Sequence, residues 1–177
     1  MVKIIVARPA EDEHAPFYGN YINLVPHQDL IQVLRDQKVS TVQLFKSIPE
    51  DKAGSRYAPG KWSIKEVVGH ICDTERIMSY RGLRIARGDQ TPLPGFEQDD
   101  YVRFAEFDQR PFDELTAEFS SVRDATLAWV RGLDEQALQR RGTANNMSVS
   151  VLALAYIIAG HERHHIGLLR ERYLALG

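Results

Sequence analysis

Apolar residues recur at three- and four-residue steps along four long segments of this chain, and no segment of comparable length alternates apolar with polar positions. That pattern fixes the class of fold. Stripes of this period must be buried against one another, so the expected architecture is all-α, a four-helix bundle. The first segment runs from about Pro26 to Pro49 and carries Leu30, Ile31, Leu34, Val42, Phe45 and Ile48 on one face. Pro26 is tolerated there because the first turn of a helix needs no backbone donor. The second opens on Ser63-Ile64-Lys65-Glu66, a capping box in which the Ser and Glu side chains each satisfy a free backbone N–H. Val67, Ile71, Met78 and Ile85 mark its face, and Gly88-Asp89 stops it. The third starts at Pro111 and carries Phe112, Leu115, Phe119, Val122, Thr126, Trp129 and Leu133, closed by Gly132 and Asp134. The fourth spans about Ser148 to Leu174, with Leu154, Ile158, His161, His165 and Leu168 stacked on one side.

The joining segments are distinctive. Residues 1–25 read as an extended arm punctuated by Pro9, Pro16 and Gly19. Residues 88–110 form a long connection between the second and third helices, with Pro92, Pro94, Gly95 and acidic Glu97, Asp99 and Asp100. A connection of that length inside a compact domain either serves function or crosses between non-adjacent helices. Residues 140–146 are a polar loop, and the pattern as a whole leaves room for one short strand pair in a loop. At 177 residues the whole chain, 1–177, is expected to fold as one domain.

Charge and cysteine narrow the function classes. The formal charge is −2, so no basic excess points to nucleic acid. Cys72 is the only cysteine, which precludes an intramolecular disulfide and fits a reducing compartment. The apolar run at Met1–Arg8 is too short for a signal-peptide core, and no stretch approaches the roughly 18 apolar residues of a membrane span. A cytoplasmic protein is expected.

Three of the six histidines fall in His161-Glu162-Arg163-His164-His165. His161 and His165 stand one above the other on a helix and continue the apolar stripe of Leu154 and Ile158, so they point inward. One inward histidine is ordinarily a hydrogen-bonded core residue. Two stacked ones are harder to accommodate, because each brings a donor and an acceptor that need partners. His70, within one turn of Val67, Ile71 and Thr74, also faces the interior. Bundle metal sites are built from such inward side chains on facing helices. Three imidazoles without a fourth protein ligand leave a coordination position open, the pattern of catalytic rather than structural sites. His70, His161 and His165 are therefore the candidate ligands of one divalent metal ion. Cys72 lies on another face, His164 is one position off the inward face, and His14 and His27 lie in the arm and at the first helix's start.

The same residues spell H-E-x-x-H, the zinc-peptidase signature, with Glu162 as a candidate base. The context argues against a peptidase. Leu168 and Glu171 stand where the extended motif requires Gly and His, and no strand-rich half is present to bind a peptide. Asp73, Glu75, Arg76 and Arg81 flank His70; most such charges form ion pairs, though a carboxylate among them would suit orienting a ligand imidazole.

With these residues assembled, the chain resembles the DinB-like, or YfiT-like, metal-binding four-helix-bundle superfamily, which is unrelated to the DNA polymerase sharing that name. The similar segments are Tyr57-Ala58-Pro59-Gly60-Lys61-Trp62-Ser63-Ile64-Lys65-Glu66 followed by His70, Arg87-Gly88-Asp89-Gln90-Thr91-Pro92-Leu93-Pro94-Gly95-Phe96, and Gly160-His161-Glu162-Arg163-His164-His165. The resemblance implies a bundle of unusual connectivity, zinc or nickel on one histidine of the second helix and two of the last, and a homodimer. It implies that some relatives are metal-dependent transferases of low-molecular-weight thiols such as bacillithiol or mycothiol. Relatives often carry Gln three residues after the last histidine, where this chain has Leu168. The leading expectation is thus S-transfer from a small-molecule thiol to an electrophilic substrate. Metal-assisted hydrolysis and a non-enzymatic stress-response scaffold with a structural metal are the alternatives.

Overall fold

The computed structural model describes residues 5–174; the first four residues of the expected arm and the last three of the chain lie outside the described residues. Four long helices make the bundle: α2 (Leu30–Lys46), α4 (Ile64–Ala86), α6 (Phe112–Arg131) and α8 (Val151–Leu168), the last continuing into a π-helical turn, Leu169–Leu174. Shorter helices α1 (Gly19–Ile22), α3 (Glu50–Ala53), α5 (Gln98–Ala105) and α7 (Glu135–Gln139) fill the connections. Strands β1 (Arg141–Ala144) and β2 (Met147–Ser150) pair antiparallel.

Local chemistry sets the helix starts. The capping box of α4 forms as its sequence predicts: Ser63 Oγ accepts from the Glu66 N–H at 3.0 Å, and the Ser63 N–H donates to Glu66 Oε2 at 2.7 Å. α2 starts at Leu30 rather than Pro26, because Asp29 caps it by accepting from the Ile31 N–H. α8 starts at Val151 rather than Ser148, since Ser148 is committed to the hairpin and Ser150 Oγ accepts from the Ala153 N–H. The strand pair occupies the polar loop. Asn145 and Asn146, both at positive φ, form its two-residue turn, a conformation asparagine tolerates.

Each long helix buries one half in each of two apolar clusters. The first cluster holds Leu30 and Leu34 of α2, Met78 and Ile85 of α4, Leu127 and Val130 of α6, and Leu154 and Ile158 of α8. The second holds Phe45, Ile71, Phe119 and Ile166 from the same four helices. Read by chain order, α2 and α8 run from the first cluster to the second, while α4 and α6 run the other way. α4 and α6 are packed neighbours and therefore parallel, whereas consecutive α2 and α4 make no comparable contact. A 23-residue α4 is about 34 Å long, and the chain must retrace that length before α6 can begin. The long connection 88–110 is this return. It joins adjacent parallel helices, so of the two alternatives its length raised the crossing between non-adjacent helices does not hold, and it contains α5.

Between the two clusters every long helix contributes buried polar residues at the same level: Gln37 and Thr41, His70, Thr74 and Glu75, Arg123, and His161 and Glu162. The bundle is thus two apolar halves separated by a polar layer. The segment expected as an extended arm is instead folded down on this layer. It forms 3-10 turns at Glu11–Glu13 and Pro16–Tyr18 and then α1, which lies along α8. Arg8 ties the arm to itself, donating to the carbonyls of Ile22 and Val25 at 2.7 and 2.8 Å, and its guanidinium lies over the Tyr156 ring of α8 at 5.7 Å. Gly160 permits the contact, because a Cβ at that position would collide with the Tyr21 carbonyl oxygen. Among the described residues no helix is long and apolar enough to cross a membrane.

Candidate metal centre

His70 projects from α4 and His161 and His165 from α8, and their Nε2 atoms converge. His161 Nε2 stands 3.0 Å from His70 Nε2 and 3.1 Å from His165 Nε2. All three ligand atoms lie within 4.8 Å of one another. His70 and His161 are buried and His165 half-buried. The indole of Trp62 packs on His70, with ring centroids 4.8 Å apart, and the edge of Tyr21 meets His161 at 5.4 Å.

The donor set suits a divalent cation. Burial holds His70 neutral, its pKa lowered to about 4, and likewise lowers His165 to about 2. Burial, reinforced by the neighbouring imidazoles, also holds His161 well below the ordinary imidazole range. Neutral imidazoles protonated at Nδ1 would aim three lone pairs at one point, an arrangement that repels unless a cation occupies it. Nitrogen ligands about 2.0–2.1 Å from one tetrahedral ion lie roughly 3.3 Å apart, a few tenths beyond the 3.0 and 3.1 Å separations here. His165 Nδ1 is buried without a hydrogen-bond partner among the described residues, so no carboxylate orients that ring. Asp73 and Arg76 pair with each other, and Arg76 also with Glu118 at 2.5 Å.

Glu162, the candidate base, is placed elsewhere. One position after His161 on the helix, it points to the opposite side, and its carboxylate is 1% exposed. Oε2 sits 2.7 Å from Arg123 Nη2 and accepts from Gln37 Nε2 at 2.7 Å; Oε1 accepts from Thr41 Oγ1 at 2.6 Å. Arg123 in turn donates from Nε and Nη2 to Glu75, both at 2.8 Å, and from Nη1 to the Leu34 carbonyl. Burial opposes the Arg123 charge, but Glu162 and Glu75 outweigh it and raise its pKa. Cys72 is fully buried away from the trio, which keeps its thiol protonated. His164 is half-buried beside Tyr21, and His14 and His27 take no part.

A cavity of about 260 Å³ opens onto His70 and His161. Thr74, Met78 and Arg81 of α4 form one wall, Tyr18 and Tyr21 of the arm a second, and Phe96–Gln98 with Asn145 the rim. The long connection therefore forms part of the rim. Burial raises the Tyr18 phenol, an effect Arg81 beside it partly opposes. A larger cavity, about 950 Å³, lies against Phe45, Lys65 and Phe112 and includes none of the histidines. The arm's contribution to the site escaped the sequence reading, although Phe17, Tyr18 and Tyr21 form an aromatic cluster unusual for a solvated arm. Gln37, Thr41 and Arg123 were equally overlooked. Their spacing from Leu34, Phe45 and Phe119 places them on the inward faces of their helices.

Comparison with known proteins places this arrangement in context. The model of the DinB superfamily matches residues 34–169, which include all three histidines. A protein of Oceanobacillus iheyensis, named provisionally as a metal-dependent hydrolase, is 24% identical over 148 residues, covering 81% of this chain and 84% of that protein. The solved structure of YfiT from Bacillus subtilis, described as "a probable metal-dependent hydrolase with an unusual four-helix bundle topology", matches with a TM-score of 0.72 at 16% identity. The match covers 97% of this chain and 94% of that one, and at this identity it speaks for the fold.

Proposed function

The chain belongs to the DinB superfamily, and from that premise we propose that it is a metal-dependent enzyme that transfers a low-molecular-weight thiol to an electrophile. In this reading His70, His161 and His165 hold one divalent ion, zinc or nickel. The observation that carries it is the convergence of three Nε2 atoms from neutral imidazoles with no other partner at that point. A divalent ion held by these residues would supply Lewis acidity that lowers the pKa of a bound thiol or water.

The remaining work falls to the chain's own residues. Trp62 and Tyr21 cover two of the imidazoles and keep bulk water off them. The cavity beside His70 and His161 receives the substrates. With Glu162 engaged by Arg123, Gln37 and Thr41, the one carboxylate lining that cavity is Glu97, exposed at its rim. A nucleophile that ionises without a protein base is favoured by this lining. A thiol, with an ordinary pKa near 8.5, needs far less help than water. Bacillithiol and mycothiol are the candidate thiols, and a cytoplasmic homodimer is the expected form. Hydrolysis is the second reading, favoured by the names of the two relatives.

The test begins with elemental analysis of untagged protein and of His161→Ala. Zinc- and nickel-loaded protein is then assayed with each thiol and an activated aryl chloride, and separately with an activated phenyl ester and no thiol. Conjugation requiring both thiol and metal supports transfer. Ester turnover without thiol transfers the assignment to hydrolysis. Metal retained with neither activity leaves a metal-binding scaffold.

A further inference from the structure

Arg81 carries a buried positive charge that no carboxylate answers. It is 4% exposed, as deeply placed as Glu75 and Glu162, yet it forms no ion pair among the described residues, whereas Arg123 is flanked by two glutamates. Its Nη2 donates to the Pro94 carbonyl at 2.6 Å, its Nη1 lies 3.7 Å from Met78 Sδ, and its guanidinium carbon is 5.8 Å from the Phe96 ring centroid. These contacts fix the planar group while leaving donors of its five-donor fork available and its charge uncompensated.

Arg81 faces the same cavity as the histidines. His70, Thr74, Met78 and Arg81 follow one another on α4 at steps of four, four and three residues, and all four line that cavity. From residue 70 to residue 81 a helix rises about 16 Å, and both side chains lean back toward the N-terminus, so the guanidinium stands well along the cavity from the imidazoles. Between them Thr74, 4% exposed, has a hydroxyl with no hydrogen-bond partner among the described residues. Glu97 is the one carboxylate among the lining residues. It is exposed at the rim and does not pair with Arg81.

We propose that the cavity is an anion-recognising substrate site: it takes an elongated small molecule whose carboxylate is held by Arg81, whose middle is hydrogen-bonded by Thr74 and whose reacting end lies at His70, His161 and His165. Among the described residues Arg81 is the only Lys or Arg in the lining, so the charge it matches is single, a carboxylate rather than a phosphate dianion. The volume, about 260 Å³, suits a small metabolite and excludes a peptide chain. The assignment rests on the histidines being metal ligands, and its test keeps the two readings apart.

Zinc content is measured first, and the zinc-loaded protein is then titrated calorimetrically with linear dicarboxylates from malonate to suberate and with their monoamides. Affinity is expected to peak in the longer half of the series, and the monoamide of the best diacid to bind about tenfold to a hundredfold more weakly. Arg81→Gln should abolish that gap while keeping wild-type zinc content, and Arg81→Lys should recover part of it. Glu97→Gln should bind the diacid at least as tightly as wild type. Equal binding of diacid and monoamide by wild type, or a gap that survives in Arg81→Gln, overturns the proposal and leaves Arg81 as a clamp on Pro94. If Arg81→Gln does not fold, the wild-type gap and the Arg81→Lys variant decide. Protein that takes up no zinc defeats the metal reading alone; loss of binding of the tightest diacid in Arg81→Gln would then still support the anion site, and unchanged binding would overturn it.

Discussion

His161 and Glu162 are adjacent in sequence and equally buried, yet they belong to opposite kinds of polar cluster. Glu162 looks into a closed one. Arg123 is held between two carboxylates, Gln37 and Thr41 occupy the remaining oxygens of Glu162, and only Gln37 Oε1 lacks a partner. His161 looks into an open one, where three imidazole nitrogens meet without a proton donor assigned among them and a cavity adjoins. A buried polar group left unsatisfied costs stability, whereas a satisfied network specifies structure. The contrast separates architecture from proposed chemistry: the Glu162 side positions α2, α4, α6 and α8 relative to one another, and the His161 side is left unsatisfied beside a cavity, as the proposed metal site requires.

Four experiments would break or sharpen this contrast. The largest effect is expected for Arg123→Met, which leaves Glu75 and Glu162 buried without their cation and should cost about 3–5 kcal/mol by urea denaturation of zinc-loaded protein. A loss below 1 kcal/mol would show that the closed cluster is not what orders the helices. Next is metal removal. Wild type at a zinc concentration a hundredfold above Kd should exceed its chelated form by about 2.7 kcal/mol, whereas His161→Leu should unfold at the same urea concentration with or without chelator. A zinc-dependent shift in that variant would place the ion elsewhere. Gly160→Ala then tests the cover over the open cluster. Its methyl group meets the Tyr21 carbonyl, so a loss of about 1–3 kcal/mol and faster proteolysis of residues 14–25 are expected. Unchanged digestion would mean that α1 does not depend on this contact. The smallest effect comes from one substitution made twice. Thr41→Val removes a hydroxyl that donates to Glu162 and should cost about 1–3 kcal/mol, while Thr74→Val removes an unpartnered one and should change stability by less than about 0.5 kcal/mol. Equal losses would erase the distinction between the clusters.

Legibility in the sequence follows the same division. The four helices were readable because apolar stripes and the Ser63–Glu66 box act within a few residues. The convergence of the three histidines was readable because His161 and His165 share one helical face and His70 repeats the inward logic. The partnership of Glu162 with Arg123 was not, since it joins residues 39 positions apart on different helices and the local motif pointed to a base instead. The parallel run of α4 and α6 was similarly hidden: periodicity gives a helix its face but no direction. The 88–110 connection carried that information only as unexplained length. The hairpin's signal was present in Asn145-Asn146, but strands of four residues offer too little alternation to register.

Tyr21 rests on Gly160, and His70 meets His161 across 91 residues of chain. A polypeptide leaves the ribosome amino-terminal end first, so the aromatic cover and the first ligand are made long before the helix that completes them. A lone imidazole holds a divalent ion poorly, and the nascent chain accordingly has no means of capturing one. If the trio holds an ion, as proposed, its acquisition becomes the last event of biogenesis, reached only once α8 has docked, and a protein truncated before that helix would lack two of the three proposed ligands.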